Sequence, residues 1–145
     1  MKKQTIKGNF DKKPTVQVEY YDKSIRYFCG AYEEIFNLTY CCLKANVDEK
    51  AKILIVGAGS GMEISLFSPL SPKWELTGVD PSGDMLNIAQ KKINDNKLEN
   101  EIKLIRGYVE KLEKAEIFDG ATCILVMHFL DEEAQNEVLN HCLPL

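Results

Sequence analysis

A run of aliphatic residues that ends in alternate glycines constrains the fold of this chain more than any other feature. The run 53–56 reads I-L-I-V and leads directly into Gly57, Gly59 and Gly61. A continuous aliphatic run bounded by glycine is typical of a strand that is buried on both faces of a parallel sheet. Glycines after such a strand allow a tight turn, and the helix that follows points its N–H groups at any ligand there. The segment therefore predicts a turn that binds a nucleotide or a nucleoside-like ligand.

The same strand-then-helix pattern recurs along the chain. Apolar runs at 74–80, 102–106 and 121–127 predict three further buried strands, and helical spacing follows near 83–93 and from Asp131. Alternation of this kind favours an α/β fold, in which helices cover both faces of a parallel sheet.

Helices are also expected before the first strand. Apolar residues recur at spacings of three and four over 20–45, which predicts one amphipathic helix or two short ones. Asp22 is the expected N-cap of the first helix, and Gly30 is the expected break. We therefore predict a tail at 1–20 and a single domain at 21–145, with helices at 21–46 and the sheet at 51–145.

Composition narrows the class of protein. The 18 Lys and Arg residues against 22 Asp and Glu residues give a net charge of −4, which argues against a general polyanion-binding surface. No apolar stretch has the length of a membrane span or of a secretory signal. The five cysteines are odd in number and lack a C-x-x-C pair, so neither a zinc site nor a disulfide framework is expected. We expect a cytoplasmic protein with reduced thiols, no metal and no membrane contact.

Asp80 ends the second predicted strand, 21 residues after Gly59. A carboxylate at this edge of a parallel sheet is suited to the hydroxyls of a ribose. The alternative is that Asp80 only caps the helix that starts near Ser82. Met62 stands where a dinucleotide fingerprint needs a third small residue, which disfavours an NAD-dependent oxidoreductase.

Four motifs, in order, resemble the class I S-adenosylmethionine-dependent methyltransferases. They are I-L-I-V-G-A-G-S-G-M-E at 53–63, L-T-G-V-D-P-S-G-D-M-L at 76–86, I-R-G-Y-V-E-K-L at 105–112 and F-D-G-A-T-C-I-L-V-M-H-F-L at 118–130. The stretch 21–36 also resembles the leading helices of a bacterial branch that includes small-molecule and carboxymethyl-tRNA-modification-type methyltransferases. The resemblance implies a three-layer Rossmann-like fold with a parallel sheet of about four strands, in the order 3-2-1-4.

The resemblance also implies S-adenosylmethionine as the cofactor. The glycine turn would hold its methionine part, the end of the second strand its ribose and adenine, the segment after the third strand the other edge of the adenine, and the end of the fourth strand its sulfonium. The implied residues are Gly57, Ala58, Gly59, Gly61, Asp80, Pro81, Ser82, Met85, Gly107, Tyr108, Val109 and Met127. Many relatives carry an acidic residue in place of Tyr108, so here the adenine amine is left to the Val109 backbone, with Tyr108 able to stack.

Few residues are candidates for the chemistry itself. Methyl transfer from a sulfonium is an in-line displacement that needs alignment more than a dedicated nucleophile. A general base helps only when the acceptor must lose a proton, and His128 is placed for that; its alternative role is structural or a substrate contact. Arg26 and Tyr27 could reach the active face from the N-terminal helices.

The resemblance leaves one part of the family's sheet unaccounted for. The family's domain continues with further strands beyond the helix that begins here near Asp131, so we expect those C-terminal strands to be missing. A fragment, a shortened reading frame, or a homodimer or partner chain that covers the fourth-strand edge would each explain this.

The acceptor is open at this point. The leading hypothesis is an enzyme that methylates a small molecule. The alternatives are a tRNA-modifying methyltransferase, a synthase that modifies the cofactor, and a non-catalytic half-domain that binds the cofactor or another chain.

Overall fold

The computed structural model describes residues 20–113 and 116–142, so the predicted tail lies outside the described residues except for Tyr20. The helices are α1 (Tyr21–Phe28), α2 (Tyr32–Asn46), α3 (Met62–Leu70), α4 (Gly83–Asp95) and α5 (Glu132–Cys142). The strands are β1 (Lys52–Val56), β2 (Glu75–Asp80), β3 (Ile102–Arg106) and β4 (Gly120–Thr122). Short 3₁₀ helices cover Val109–Lys111 and Met127–Phe129.

The four strands form one parallel sheet in the order β3-β2-β1-β4, as predicted. The chain moves outward from β1 to β3 and then returns to the other side of β1, where β4 pairs with it. All four strands run in the same direction, but the order in which successive strands are added to the sheet reverses between β1 and β4. In open α/β sheets, ligands bind at the carboxyl ends of the strands beside such a switch point.

β1 is buried on both faces, as its aliphatic sequence predicts. Ile53 and Ile55 pack in one apolar cluster with the helices α2, α3 and α4, whereas Leu54 and Val56 pack in a second cluster with α5. Alternate side chains of a strand point to opposite faces of the sheet, so a strand between two helical layers needs apolar residues at every position. The two clusters hold the end of β1, and hence the glycine turn, in a fixed position.

The helices before and after β1 differ in part from the prediction. The break at Gly30 is confirmed, because α1 ends at Phe28 and α2 begins at Tyr32. α3 includes Pro69 in its last turn and ends at Leu70. No helix in the described part of the chain is both long and apolar enough to cross a membrane.

The predicted fourth strand is present, but its predicted extent through 121–127 was wrong. β4 ends at Thr122, which pairs with Ile55, and the backbone then leaves the sheet through Leu125, whose φ is 56°. β1 extends only one residue past this pair, to Val56, and then turns away at Gly57 with φ 73°, so it cannot pair with a strand that continues to residue 127. The Val126 side chain then lies over Gly57, where a Cβ on that glycine would be 2.2 Å from Val126 Cγ2.

We expect Gly61→Ala to destabilise the fold and Gly30→Ala to be nearly neutral. Gly61 has φ 77°, and a Cβ there would be 2.9 Å from Cβ of Ala89 on α4, so strain and overlap together should cost about 1–3 kcal/mol. Nothing lies within 4 Å of a Cβ at Gly30. Urea unfolding of both variants checks this, and equal losses of unfolding free energy would contradict it.

Candidate functional site

The glycine turn between β1 and α3 has the backbone that the sequence predicts. Gly57, Gly59 and Gly61 have φ of 73°, 51° and 77°, a region that residues with a side chain rarely adopt. The amides of Gly57 and Ala58 both donate to the carbonyl oxygen of Val79, at 2.8 and 3.0 Å. The turn is therefore tied to the end of β2, and its bare backbone faces the carboxyl edge of the sheet.

Asp80 links the end of β2 to the turn and to the start of α4. Its carboxylate accepts hydrogen bonds from the Gly59 amide at 2.9 Å and from the Ser82 amide at 2.8 Å. Burial raises the pKa of Asp80, and the two backbone hydrogen bonds oppose that shift. An ionised carboxylate has about four acceptor positions, so acceptor capacity remains for the hydroxyls of a ribose.

The alternative role proposed for Asp80, capping α4, belongs to Ser82 instead. Ser82 is the N-cap residue of α4, and its hydroxyl accepts from the Met85 amide at 3.3 Å. Asp80 stabilises the loop before α4, because its carboxylate accepts a hydrogen bond from the Ser82 amide. A ligand role and this bracing role are compatible, because they use different lone pairs.

The other predicted cofactor residues divide into those that reach the carboxyl edge and those that do not. Met85 lies beside the turn, since its methyl group would be 3.4 Å from a Cβ at Gly59. The Gly107 amide donates to the Asp80 carbonyl oxygen at 3.0 Å, and Tyr108 follows with 39% of its surface exposed. Pro81, between Asp80 and Ser82, is half-buried.

Two predicted contacts are available only through the backbone. The Val109 side chain is buried in the apolar cluster beneath α5, and the Ala58 methyl group packs in the cluster on the opposite face. A Cβ on Gly78 of β2 would be 2.8 Å from the Cβ of Ala58, so β2 needs glycine at that position. Both side chains stabilise the sheet rather than facing a ligand.

Met127 and His128 do not lie at the end of β4, because the strand stops earlier than predicted. Both are in the 3₁₀ helix Met127–Phe129, where Met127 packs against the cluster beneath α5. His128 is exposed, and its ring centroid lies 3.9 Å from that of Phe129.

Arg26 and Tyr27 are also placed differently from the expectation. Tyr27 is 88% exposed and packs edge-on against Phe28. Arg26 forms an ion pair with Glu33 and lies over the ring of Tyr32, although its Nη2 also comes within 3.8 Å of Met62 Sδ. Of the two, only Arg26 approaches the start of α3.

A polar cluster that sequence reasoning missed connects α1 to the glycine turn. Ser60 Oγ donates to Asp22 Oδ1 at 2.5 Å, and Lys92 Nζ of α4 donates to Asp22 Oδ2 at 2.5 Å. The prediction that Asp22 is the N-cap of α1 was wrong, because α1 begins at Tyr21 and Tyr20 is its N-cap residue, without a side-chain cap bond. No spacing in the sequence points to this cluster, because its members come from three separate elements.

A buried carboxyl group beneath the turn was also missed. Glu63, in the first turn of α3, is 4% exposed, and its Oε1 accepts a hydrogen bond from the Thr122 hydroxyl of β4 at 2.8 Å. Burial raises the pKa of Glu63 to about 8, because an ionised carboxylate there has lost its water. Glu63 is therefore mainly protonated at neutral pH.

The family comparison agrees with this geometry. The model of a family described as a methyltransferase domain matches residues 53–145, from β1 through α5. The chain belongs to the class I S-adenosylmethionine-dependent methyltransferases. S-adenosylmethionine is the cofactor that this family uses.

Individual relatives extend well beyond the matched region. The uncharacterized protein RP028 of Rickettsia prowazekii is 32% identical over 91 residues, which are 63% of this chain and 36% of the relative. The structure of PKMT2 from Rickettsia typhi in complex with AdoHcy has a TM-score of 0.57 at 32% identity, over 63% of this chain and 18% of that one. The chain thus spans about a third or less of the length of these relatives.

A third comparison concerns the fold alone. SAM-bound CalS10, an amino pentose methyltransferase from Micromonospora echinaspora, has a TM-score of 0.63 at 21% identity, over 86% of this chain and 49% of that one. This likeness covers more of the chain than the likeness to the Rickettsia structure does, and it supports the Rossmann-like fold.

We expect the stability of this protein to fall with rising pH in a way that depends on Glu63. In the unfolded chain this carboxyl group ionises near its ordinary pKa of 4.5, but in the folded chain only near 8. Its contribution to stability is therefore complete below pH 4.5 and is lost as the pH rises to about 8. Glu63→Gln, which cannot ionise, should remove a slope of at most about 1.4 kcal/mol per pH unit.

Urea unfolding between pH 5 and pH 9 measures this slope. Glu34→Gln is the matched control, since Glu34 is an exposed carboxylate on α2. A Glu63→Gln variant whose unfolding free energy depends on pH as steeply as that of the wild type would contradict the assignment.

Proposed function

We propose that this chain binds S-adenosylmethionine at the glycine turn and forms the cofactor-binding part of a methyltransferase whose acceptor is a small molecule. The observation that carries the proposal is the pair of hydrogen bonds from the Gly59 and Ser82 amides to Asp80. They hold a carboxylate beside a bare, positive-φ turn at the switch point of a parallel sheet. Family membership supports the same ligand.

Each part of the cofactor has a candidate partner on the carboxyl edge. The backbone of 57–61 would hold the methionine part, and the free lone pairs of Asp80 would accept from the ribose hydroxyls. Met85, Pro81 and Ser82 would flank the adenine on one side. Gly107, Tyr108 and the Val109 backbone would flank it on the other. The absence of an acid at 108 leaves the adenine amine to a backbone carbonyl.

Bound S-adenosylmethionine supplies an activated methyl group on a sulfonium with a good leaving group. The protein has to align the acceptor with that methyl group and exclude water, and good alignment alone can lower the barrier by roughly 7–11 kcal/mol. His128 is the proposed base where the acceptor has to lose a proton. Its exposure on the 3₁₀ helix lets it turn toward an acceptor but does not hold it in place.

We expect Asp80→Ala to weaken binding of S-adenosylhomocysteine by about tenfold or more, because hydrogen bonds to a charged group are lost. His128→Ala should change the affinity much less. Isothermal titration calorimetry measures both. Because Asp80 also braces the turn, Asp80→Asn serves as a milder variant, and Asp84→Asn is the control for the loss of an exposed acid on α4. Equal losses for Asp80→Ala and His128→Ala would contradict the ribose assignment.

The proposal that the acceptor is a small molecule rests on the net charge of the chain. A net charge of −4 disfavours a large nucleic-acid substrate. tRNA modification and modification of the cofactor itself are the alternative reactions. Incubation with methyl-labelled cofactor and either bulk tRNA or a low-molecular-weight cell extract separates them, since label in the tRNA fraction alone would overturn the small-molecule assignment.

The fourth-strand edge supports a second candidate function, binding to another chain. Among the described residues β4 pairs only with β1, and a groove of about 620 Å³ runs beside it. Leu38 and Leu43 of α2 line one wall, and Ala121 and Ile124 line the other. A second copy or a partner chain on this groove would cover an open strand edge. Light scattering over a range of concentrations distinguishes a dimer from a monomer.

A further inference from the structure

The helix α1 covers the glycine turn without a buried side chain of its own. In the described part of the chain, each of its residues is half-buried or exposed. Its first residue, Tyr21, has a pKa that is raised by burial and by the negative charges of Asp22 and Asp80. The start of α1 lies against the glycine turn, where Asp22 contacts Ser60, although no side chain of α1 is fully buried.

The contacts that hold α1 in this position converge on Asp22. One carboxylate oxygen accepts from Ser60 Oγ and the other from Lys92 Nζ, both at 2.5 Å, and Lys92 Nζ also lies 3.3 Å from Ser60 Oγ. Ser60 is itself 4% exposed and stands between two of the positive-φ glycines. The three side chains thus form a closed triangle between α1, the glycine turn and α4.

This triangle is better shielded than the other ion pair of α1. The side chains of Lys92 and Asp22 are 28% and 21% exposed, against 42% and 50% for Arg26 and Glu33. Exposed ion pairs contribute little because water and salt screen them, whereas a partly buried, hydrogen-bonded pair is screened less. The Asp22 contacts therefore contribute most of the polar attachment of α1.

We propose that Asp22 is a positioning residue that docks α1 onto the glycine turn through Ser60 and Lys92, and so slows release of the bound cofactor. The inference rests on the proposed function for its ligand, but the docking itself concerns only residues of this chain. A cover held by polar contacts can open at low cost, because separating it exposes charged groups to water rather than an apolar core. The same contacts orient the Ser60 segment of the turn.

The test compares the release of S-adenosylhomocysteine from the wild type, Asp22→Asn, Lys92→Met and the double variant. Displacement of labelled ligand by excess unlabelled ligand measures the dissociation rate, and hydrogen exchange of the α1 amides measures docking directly. Glu34→Gln and Lys91→Met are matched controls, since they make the same charge changes at exposed positions on α2 and α4.

Each single variant is expected to release the ligand about tenfold faster, because a hydrogen bond to a charged group is lost. The double variant should be no faster than the faster single one, since both substitutions break the same triangle. The α1 amides should exchange faster in all three variants than in the wild type. Added salt should accelerate ligand release from the wild type but not from the variants, because only the wild type retains the complete ion pair. The controls should stay within about twofold of the wild type.

Other outcomes overturn the proposal in identifiable ways. Unchanged exchange of α1 in Asp22→Asn would show that Asp22 does not dock the helix, whatever happens to ligand release. Additive effects of Asp22→Asn and Lys92→Met would show that the two residues act separately. If the wild type binds no ligand, the proposed function and the effect on release fail together, while the exchange data still decide whether Asp22 docks α1.

Discussion

The two hydrogen bonds from the Gly59 and Ser82 amides to the Asp80 carboxylate are the contacts on which the rest of the site depends. They join the glycine turn to the end of β2 and to the loop before α4. The Asp80 carbonyl oxygen accepts from the Gly107 amide, so the segment after β3 is anchored to the same residue. Three loops from three strands are therefore positioned by one residue, and the carboxylate retains acceptor capacity for a ligand.

Close packing around the turn explains why its glycines are needed. Gly57 faces Val126 and Gly61 faces Ala89, and in both places a Cβ would lie under 3 Å from a side-chain carbon. All three glycines also have positive φ, so the close approach and the backbone conformation require the same residue type. Because side chains pack this closely against the turn, its backbone groups are held in a fixed arrangement, and a cofactor site requires such an arrangement.

The carboxyl groups around the turn differ in how the cost of burying them is offset. Glu63 has one hydrogen bond from Thr122, and burial keeps it mostly protonated at neutral pH. Asp22 is paired with Lys92 and with the Ser60 hydroxyl, so it can be ionised while partly buried. Because its pKa is about 8, Glu63 makes the interior beneath the turn sensitive to pH. Asp22 attaches α1 to the turn and to α4 through its ion pair with Lys92 and its hydrogen bond with Ser60.

The amino-acid sequence by itself determined the strands β1 to β3, the glycine turn and the position of Asp80, because these depend on local patterns. A fully apolar run predicts a strand buried on both faces, and the ends of parallel strands must meet at one edge of the sheet. Only the tertiary structure decided where β4 ends, since that depends on the turn of β1 at Gly57 and on the packing of Val126. It also decided the contacts of Asp22 with Ser60 and Lys92, which lie 38 and 70 residues away along the chain. Contacts between side chains that are so far apart in the sequence depend on how whole helices pack against each other. The residue pattern of a single helix or strand therefore does not predict them.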